Sequence, residues 1–126
     1  MYSDKVMKIF KNPKYMGELK NPSGVGKVGN PTCGDVMEIS IRVKKNKKGE
    51  EIIDDIKVKT FGCVAAIVSS DVLCSMVKGK TIKQALEVTK EDIIKHMGGK
   101  VPTEKIHCSL LAADALKKAI EDYKNK

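Results

Sequence analysis

The chain has no tryptophan, two phenylalanines and three tyrosines, and among its 126 residues only one arginine, Arg42. Nucleic-acid recognition draws on arginine forks and on aromatic platforms for stacking, so this scarcity argues against it, although the formal net charge is +8. A solvated lysine surface accounts for that charge, and it also suits an acidic protein partner. No apolar run approaches the length of a bilayer span. The start, MYSDKVMKIF, lacks the layout of a signal peptide. No C-x-x-C is present among the four cysteines, which removes the main support for zinc-ribbon and thioredoxin readings. The expectation is a single cytoplasmic domain spanning 1–126, with no membrane partner and with thiols kept reduced.

What is present is organised as strands followed by helices. Residues 3–10 read as a short helix, with Ser3 a candidate cap. Residues 11–34 are broken by glycine and proline and read as a loop-rich segment with at most a short strand near Lys27–Gly29. MEISIRVK alternates, with Met37, Ile39, Ile41 and Val43 on one face. KNKKGE is a turn, and residues 52–61 form a second strand, so the two make a hairpin. A helix is expected from Cys63 to about Val77, with Gly79 stopping it. Thr81 with Gln84 spells a capping box, and Thr89 caps a further short helix that ends at Gly98–Gly99. The last helix is expected from near Thr103 to about Tyr123, with Leu110, Ala113, Leu116, Ile120 and Tyr123 on its apolar face. The sum is an α+β fold, a small antiparallel sheet of about three strands packed against several helices.

Hairpin symmetry gives the cysteines a place. Opposed residues of an antiparallel hairpin have a constant index sum, and Cys33 with Cys63 centres on Lys48, inside the turn. The chain before the first strand then lies beside the chain after the second, with Asp35 close by, and a bulge shifts this by a residue or two. Cys74 falls on the helical stripe Cys63, Ile67, Ser70, Cys74, roughly 16 Å from Cys63, too far to share a metal; it reads as a small buried hydrophobe. His107 and Cys108 are adjacent at the start of the last helix. There the backbone is freer, and the positive end of the helix dipole favours a thiolate. Two readings stand: His107 and Cys108 complete a site begun by Cys33, Asp35 and Cys63, or Cys108 is core and His107 is surface. Three thiols with a carboxylate and an imidazole suit zinc or iron–sulfur chemistry rather than magnesium or calcium. They offer five ligands where four are needed.

Other motifs weigh less. GVGKVG, from Gly24 to Gly29, matches G-x-G-x-x-G, but no buried strand precedes it and Asn30–Pro31 follows where a helix should start, so a flexible loop leading to Cys33 is the expectation. His96 reads as a capping or surface residue. A Cys–His hydrolase lacks any marked oxyanion hole.

NPTCGD around Cys33, KTFGC around Cys63, VKGKT after the helix and KIHCSLLAADAL around Cys108 together resemble the IscU/NifU-type scaffolds of iron–sulfur cluster assembly. YSDKVMKIFKNPKYMGEL and GVGKVGNP extend the resemblance over essentially the whole chain. It implies a non-enzymatic scaffold that takes sulfur from a cysteine desulfurase, combines it with iron (Fe2+), holds a labile 2Fe–2S cluster (4Fe–4S being the alternative) and passes it to apo-proteins. It implies Cys33, Cys63 and Cys108 as ligands, Asp35 as the residue tied to lability, His107 as the fourth-ligand histidine, Lys105 beside the site, and Cys108 as persulfide acceptor. A homodimer when loaded, and zinc in purified protein, also follow from it. The chain departs from the family's pattern at Val64, where a small residue usually follows the second cysteine. It departs again at VPTEK (Val101 to Lys105), where LPPVK usually docks a dedicated Hsp70-type chaperone; that partner is not carried over. A stable zinc protein of the same fold, a cluster-free sulfur carrier using one cysteine, and a fixed electron carrier are the alternatives.

Overall fold

The structure is a computed structural model that describes the backbone of residues 4–30, 35–61, 64–97 and 106–125. Side chains are described for these residues except 30, 35, 61, 64–65 and 106–109. Helix α1 (Asp4–Lys11) is followed by strands β1 (Gly24–Asn30), β2 (Asp35–Lys45) and β3 (Glu51–Phe61). Helices α2 (Val64–Val77), α3 (Ile82–Leu86), α4 (Lys90–His96) and α5 (Ile106–Lys124) complete the chain. The strands form one antiparallel sheet in the order β1-β2-β3. Helices α2 and α5 pack on its inner face, giving the expected α+β architecture.

The inner face follows from alternation. Met37, Ile39 and Ile41 of β2 are buried and lie opposite Thr60, Val58 and Ile56 of β3. Ile53 and Ile56 are three residues apart, so a regular strand would turn them to opposite faces. Both are fully buried because the register slips between Arg42 and Val43, leaving Asp54 as the extra residue of a bulge. Asp54 meets Lys44 at 3.7 Å on the outside.

Two expectations are corrected. Gly24–Asn30 is a full strand paired along its length with β2, not a flexible loop. Its glycines at 24 and 26 fall on the inner face, opposite Ile41 and Ile39, where α5 comes down onto the strand. A Cβ at Gly26 would sit 2.2 Å from the Ala115 carbonyl oxygen and 2.3 Å from the Ala119 nitrogen. The glycines are therefore spent on close packing, not on mobility. The dinucleotide reading fails as expected, since β1 is antiparallel to its neighbour and opens no helix. The second correction concerns Leu110, which is 44% exposed. Ala113, Leu116 and Ile120 of the predicted stripe are buried as expected, and Leu111, Ala112, Ala115 and Ala119 join them where small residues let the helix approach the strand.

The short helices behave as read. Thr81 and Gln84 exchange both bonds of a capping box, and Thr89 does the same with Asp92. Helix α2 is apolar almost all round and buried from Ala66 to Cys74 except at half-buried Ile67, as a helix enclosed by its neighbours must be. Among the described residues no helix is long and apolar enough to cross a membrane. The expected cap Ser3 and the stop at Gly98–Gly99 lie outside the described residues.

Candidate metal centre at one end of the sheet

The candidate site is defined by three chain segments, and the described backbone brings their flanks to one end of the sheet. β1 ends at Asn30 and β2 begins at Asp35, and these two residues are a paired couple. Val36, the next residue, pairs with Phe61, the last residue of β3. The connection that carries Cys33 therefore leaves and returns at the end where the chain carrying Cys63 departs toward α2. The hairpin symmetry survives with one adjustment: paired residue numbers total 96 at Lys45↔Glu51 and 97 at Val36↔Phe61, the bulge having added one.

The third segment is brought in by α5. The helix runs antiparallel to β1: Tyr123 and Ala119 lie over Gly24, Ala119 and Ala115 over Gly26, and Leu111 shares a groove with Gly29. One turn before Leu111, about 6 Å along the axis, the backbone of His107 and Cys108 lies in the first turn, toward the Asn30–Asp35 end. The helix begins at Ile106 among the described residues, so His107 and Cys108 are its second and third positions. Backbone N–H groups of a first helical turn have no partner inside the helix, and they favour negative charge. Cys33, Cys63 and Lys105 lie outside the described residues, as do the side chains of Asp35, His107 and Cys108 and the whole VPTEK segment.

Cys74 is separate from this end. It is fully buried in α2 and forms no disulfide. Burial, and next the charge of Asp71, hold its thiol well above the ordinary range. His96 is exposed, with Nδ1 at 3.0 Å from the Asp92 carbonyl oxygen within α4, in keeping with a surface role.

Sequence reasoning missed the residues that hold the frame. Asp71 is 6% exposed, and its Oδ1 accepts from the N–H groups of Lys14 and Tyr15, both at 2.8 Å. That pins the segment after α1 to α2, while Tyr15 and Gly17 bond Val58 on the outer side of β3. Asp122 of α5 accepts from the Val25 N–H at 2.9 Å and fixes the far end of the helix to β1. A carboxylate in the apolar run of α2, and glycines two apart facing alanines at 115 and 119, were the available signals.

Comparison with known proteins agrees with this geometry. The model of the family described as "NifU-like N terminal domain" matches residues 1–126. The chain is 52% identical to the iron-sulfur cluster assembly scaffold protein IscU 1 of Archaeoglobus fulgidus, over 100% of this chain and 78% of that protein. It is 44% identical to the IscU scaffold protein of Azotobacter vinelandii, over 99% of this chain and 95% of that one. Among solved structures, a NifU-like N-terminal protein from Brucella abortus superposes with a TM-score of 0.77 at 18% identity, covering 98% of this chain and 94% of that chain, a likeness of fold. The chain belongs to the NifU-like N-terminal domain family.

Proposed function

We propose that this chain is a scaffold on which an iron–sulfur cluster is assembled and from which it is handed to other proteins. The observation that carries the reading is the convergence of backbone at one end of the sheet: the paired couple Asn30–Asp35, the end of β3 and the first turn of α5. The names of the scaffold relatives support it. The cluster is cargo, so its site must hold it and also let it go.

In this reading Cys33, Cys63 and Cys108 supply three thiolates, and Asp35 and His107 compete for the remaining position. Thiolates bind iron strongly, whereas a carboxylate is a harder, weaker ligand for a cluster; a site with Asp35 at its edge exchanges more readily than one with four thiolates. Cys108 accepts sulfur from a cysteine desulfurase, and Lys105 lies three residues before it in sequence. The cargo is a 2Fe–2S cluster, the acceptors are apo iron–sulfur proteins, and two copies come together when loaded. The chain works in the cytoplasm, as one unit over residues 1–126. It does no chemistry on its own, since sulfur mobilisation belongs to the desulfurase.

The test is anaerobic reconstitution of the parent and of Cys33→Ala, Cys63→Ala, Cys108→Ala and Asp35→Ala, followed by visible absorption. Each cysteine variant is expected to lose the cluster absorption, and Asp35→Ala to build it but release it more slowly. Zinc held by all variants with no absorption from the parent would sink the scaffold reading. Full activity with both Cys33 and Cys63 removed would replace it with a one-cysteine sulfur carrier.

A further inference from the structure

Beyond Val58 the inner face of β3 breaks its apolar alternation. Ile56 and Val58 are fully buried, and the next residue on that face is Thr60, half-buried and opposite Met37. Valine has the same branched shape and no polar group, so burial alone would favour it there. Departures of this kind concentrate at functional sites. The Thr60 hydroxyl donates to the Val36 carbonyl on the facing strand, at 2.6 Å. Among the described residues no other side chain of β3 hydrogen-bonds the backbone of β2.

The ladder decides where that bond falls. Val58 turns its N–H and carbonyl away from β2, to Tyr15 and Gly17. Backbone groups alternate sides along an antiparallel strand, so Lys57, Lys59 and Phe61 are the residues that bond β2. Val36↔Phe61 is therefore a hydrogen-bonded pair, and among the described residues it is the last pair of β2 with β3. The Val36 carbonyl takes the Phe61 N–H and has a second lone pair for the Thr60 hydroxyl. End pairs of a ladder open most easily. Candidate ligand segments lie directly beyond this pair on both strands: Asp35 precedes Val36, and Cys63 follows Phe61 by two residues. The hydroxyl thus closes the ladder at the point where the two segments part.

We propose that Thr60 is a positioning residue for the candidate metal centre: its hydroxyl holds the ends of β2 and β3 together and so slows loss of the bound metal. The inference rests on the scaffold reading and deepens it, naming a residue outside the ligand set that governs the rate of release. With the bond in place, Asp35 and the chain leaving β3 keep one spacing, as ligands sharing one centre require. Without it the last pair opens more often, and the two segments separate each time it does.

Thr60→Val removes the hydroxyl and keeps the branched shape, whereas Thr60→Ser keeps the hydroxyl. The first readout needs no metal: amide exchange of the metal-free chain by NMR. Thr60→Val should speed exchange at Val36 and Phe61 by about two- to tenfold, the range for one net hydrogen bond. Ser40 and Lys57, paired further along the same ladder, should exchange as in the parent. The second readout is the rate at which metal leaves, followed as zinc passing to a chelator and, on reconstituted protein, as loss of the visible cluster absorption. Both losses should quicken by a similar factor in Thr60→Val and return to the parent's rate in Thr60→Ser. Unchanged exchange at Val36 and Phe61 would overturn the proposal, as would quicker exchange there with metal lost at the parent's rate. Exchange that quickens equally at Ser40 and Lys57 would make Thr60 a general stabiliser, and Thr60→Ser behaving as Thr60→Val would remove the hydroxyl from the argument. A parent that holds zinc but builds no cluster would refute the scaffold reading, while zinc loss still decides the role of Thr60; a parent that holds neither refutes both.

Discussion

Replacing Gly26 by alanine should loosen the whole candidate site without touching any of its residues. The added Cβ would lie 2.2 Å from the Ala115 carbonyl oxygen, 2.3 Å from the Ala119 nitrogen and 2.8 Å from the Lys118 Cβ. Ordinary contact begins near 3.4 Å, and two of the three obstacles are backbone, so the helix must retreat by about 1.2 Å, the difference between 3.4 and 2.2 Å. A gap of that order forfeits a quarter to a half or more of the dispersion contact along the interface, and Leu111, Ala112, Leu116 and Ile120 share that interface. Overpacking of this kind costs about 1–3 kcal/mol, and with rigid backbone on the far side we expect the upper end, about 3 kcal/mol. For a chain of this size that lowers Tm by about 10 °C. Gly49→Ala is the control: φ there is +81° with nothing within 4 Å of the new Cβ, so it costs only the left-handed backbone penalty, about 1–2 kcal/mol. Thermal melts of both variants test the argument, together with cluster build-up, which Gly26→Ala should reduce because the first turn of α5 moves relative to Asp35. A Gly26→Ala protein that melts within about 2 °C of the parent would refute the close approach of α5 to β1.

Asp71→Ala should cost about 2–4 kcal/mol, since it strips two N–H groups of a buried charged acceptor; amide exchange should rise at Lys14, Tyr15 and Val58, with Asp71→Asn milder, and unchanged exchange at Tyr15 would count against the pin. Asp92 is held below its usual pKa by its bonds from the Thr89 N–H and hydroxyl, so its contribution to α4 is present above the ordinary aspartate pKa of 3.8 and fades as pH falls through the lower folded value. Amide exchange in α4 should therefore rise below about pH 4 in the parent and show no such step in Asp92→Asn. Cys74 should resist iodoacetamide in the native protein at mildly alkaline pH and react once the chain is unfolded; labelling of native protein at Cys74, read by mass spectrometry of peptides, would contradict its placement in the core.

Much of the frame was legible because alternation and capping are local signals. Met37, Ile39 and Ile41 announce a half-buried strand by themselves, and Thr81–Gln84 announces a helix start. Hairpin symmetry puts the chain before β2 beside the chain after β3, as the pair Val36↔Phe61 has it, and the bulge at Asp54 alters the register by one residue. What escaped was non-local. GVGKVG has loop composition, and it is a strand only because β2 pairs with it and α5 needs its missing side chains. Leu110 looks like core by periodicity, yet it faces out, while Ala112, Ala115 and Ala119 join the buried face where small residues let the helix approach β1. Asp71 and Asp122 are anchors whose partners lie 56 and 97 residues away. Of the site itself, the resemblance alone names the residues, and the fold shows only that the flanks of their segments, Asp35 and Phe61 among them, lie at one end of the sheet.

The measurement that tests the central claim most directly is transfer. The protein would be mixed anaerobically with iron, cysteine and a cysteine desulfurase, the visible charge-transfer absorption followed, and an apo-ferredoxin then added. The account predicts absorption that builds on this chain and then moves to the ferredoxin. Absorption that builds and stays would identify a fixed redox centre, and zinc retained with no absorption at all would contradict the scaffold outright.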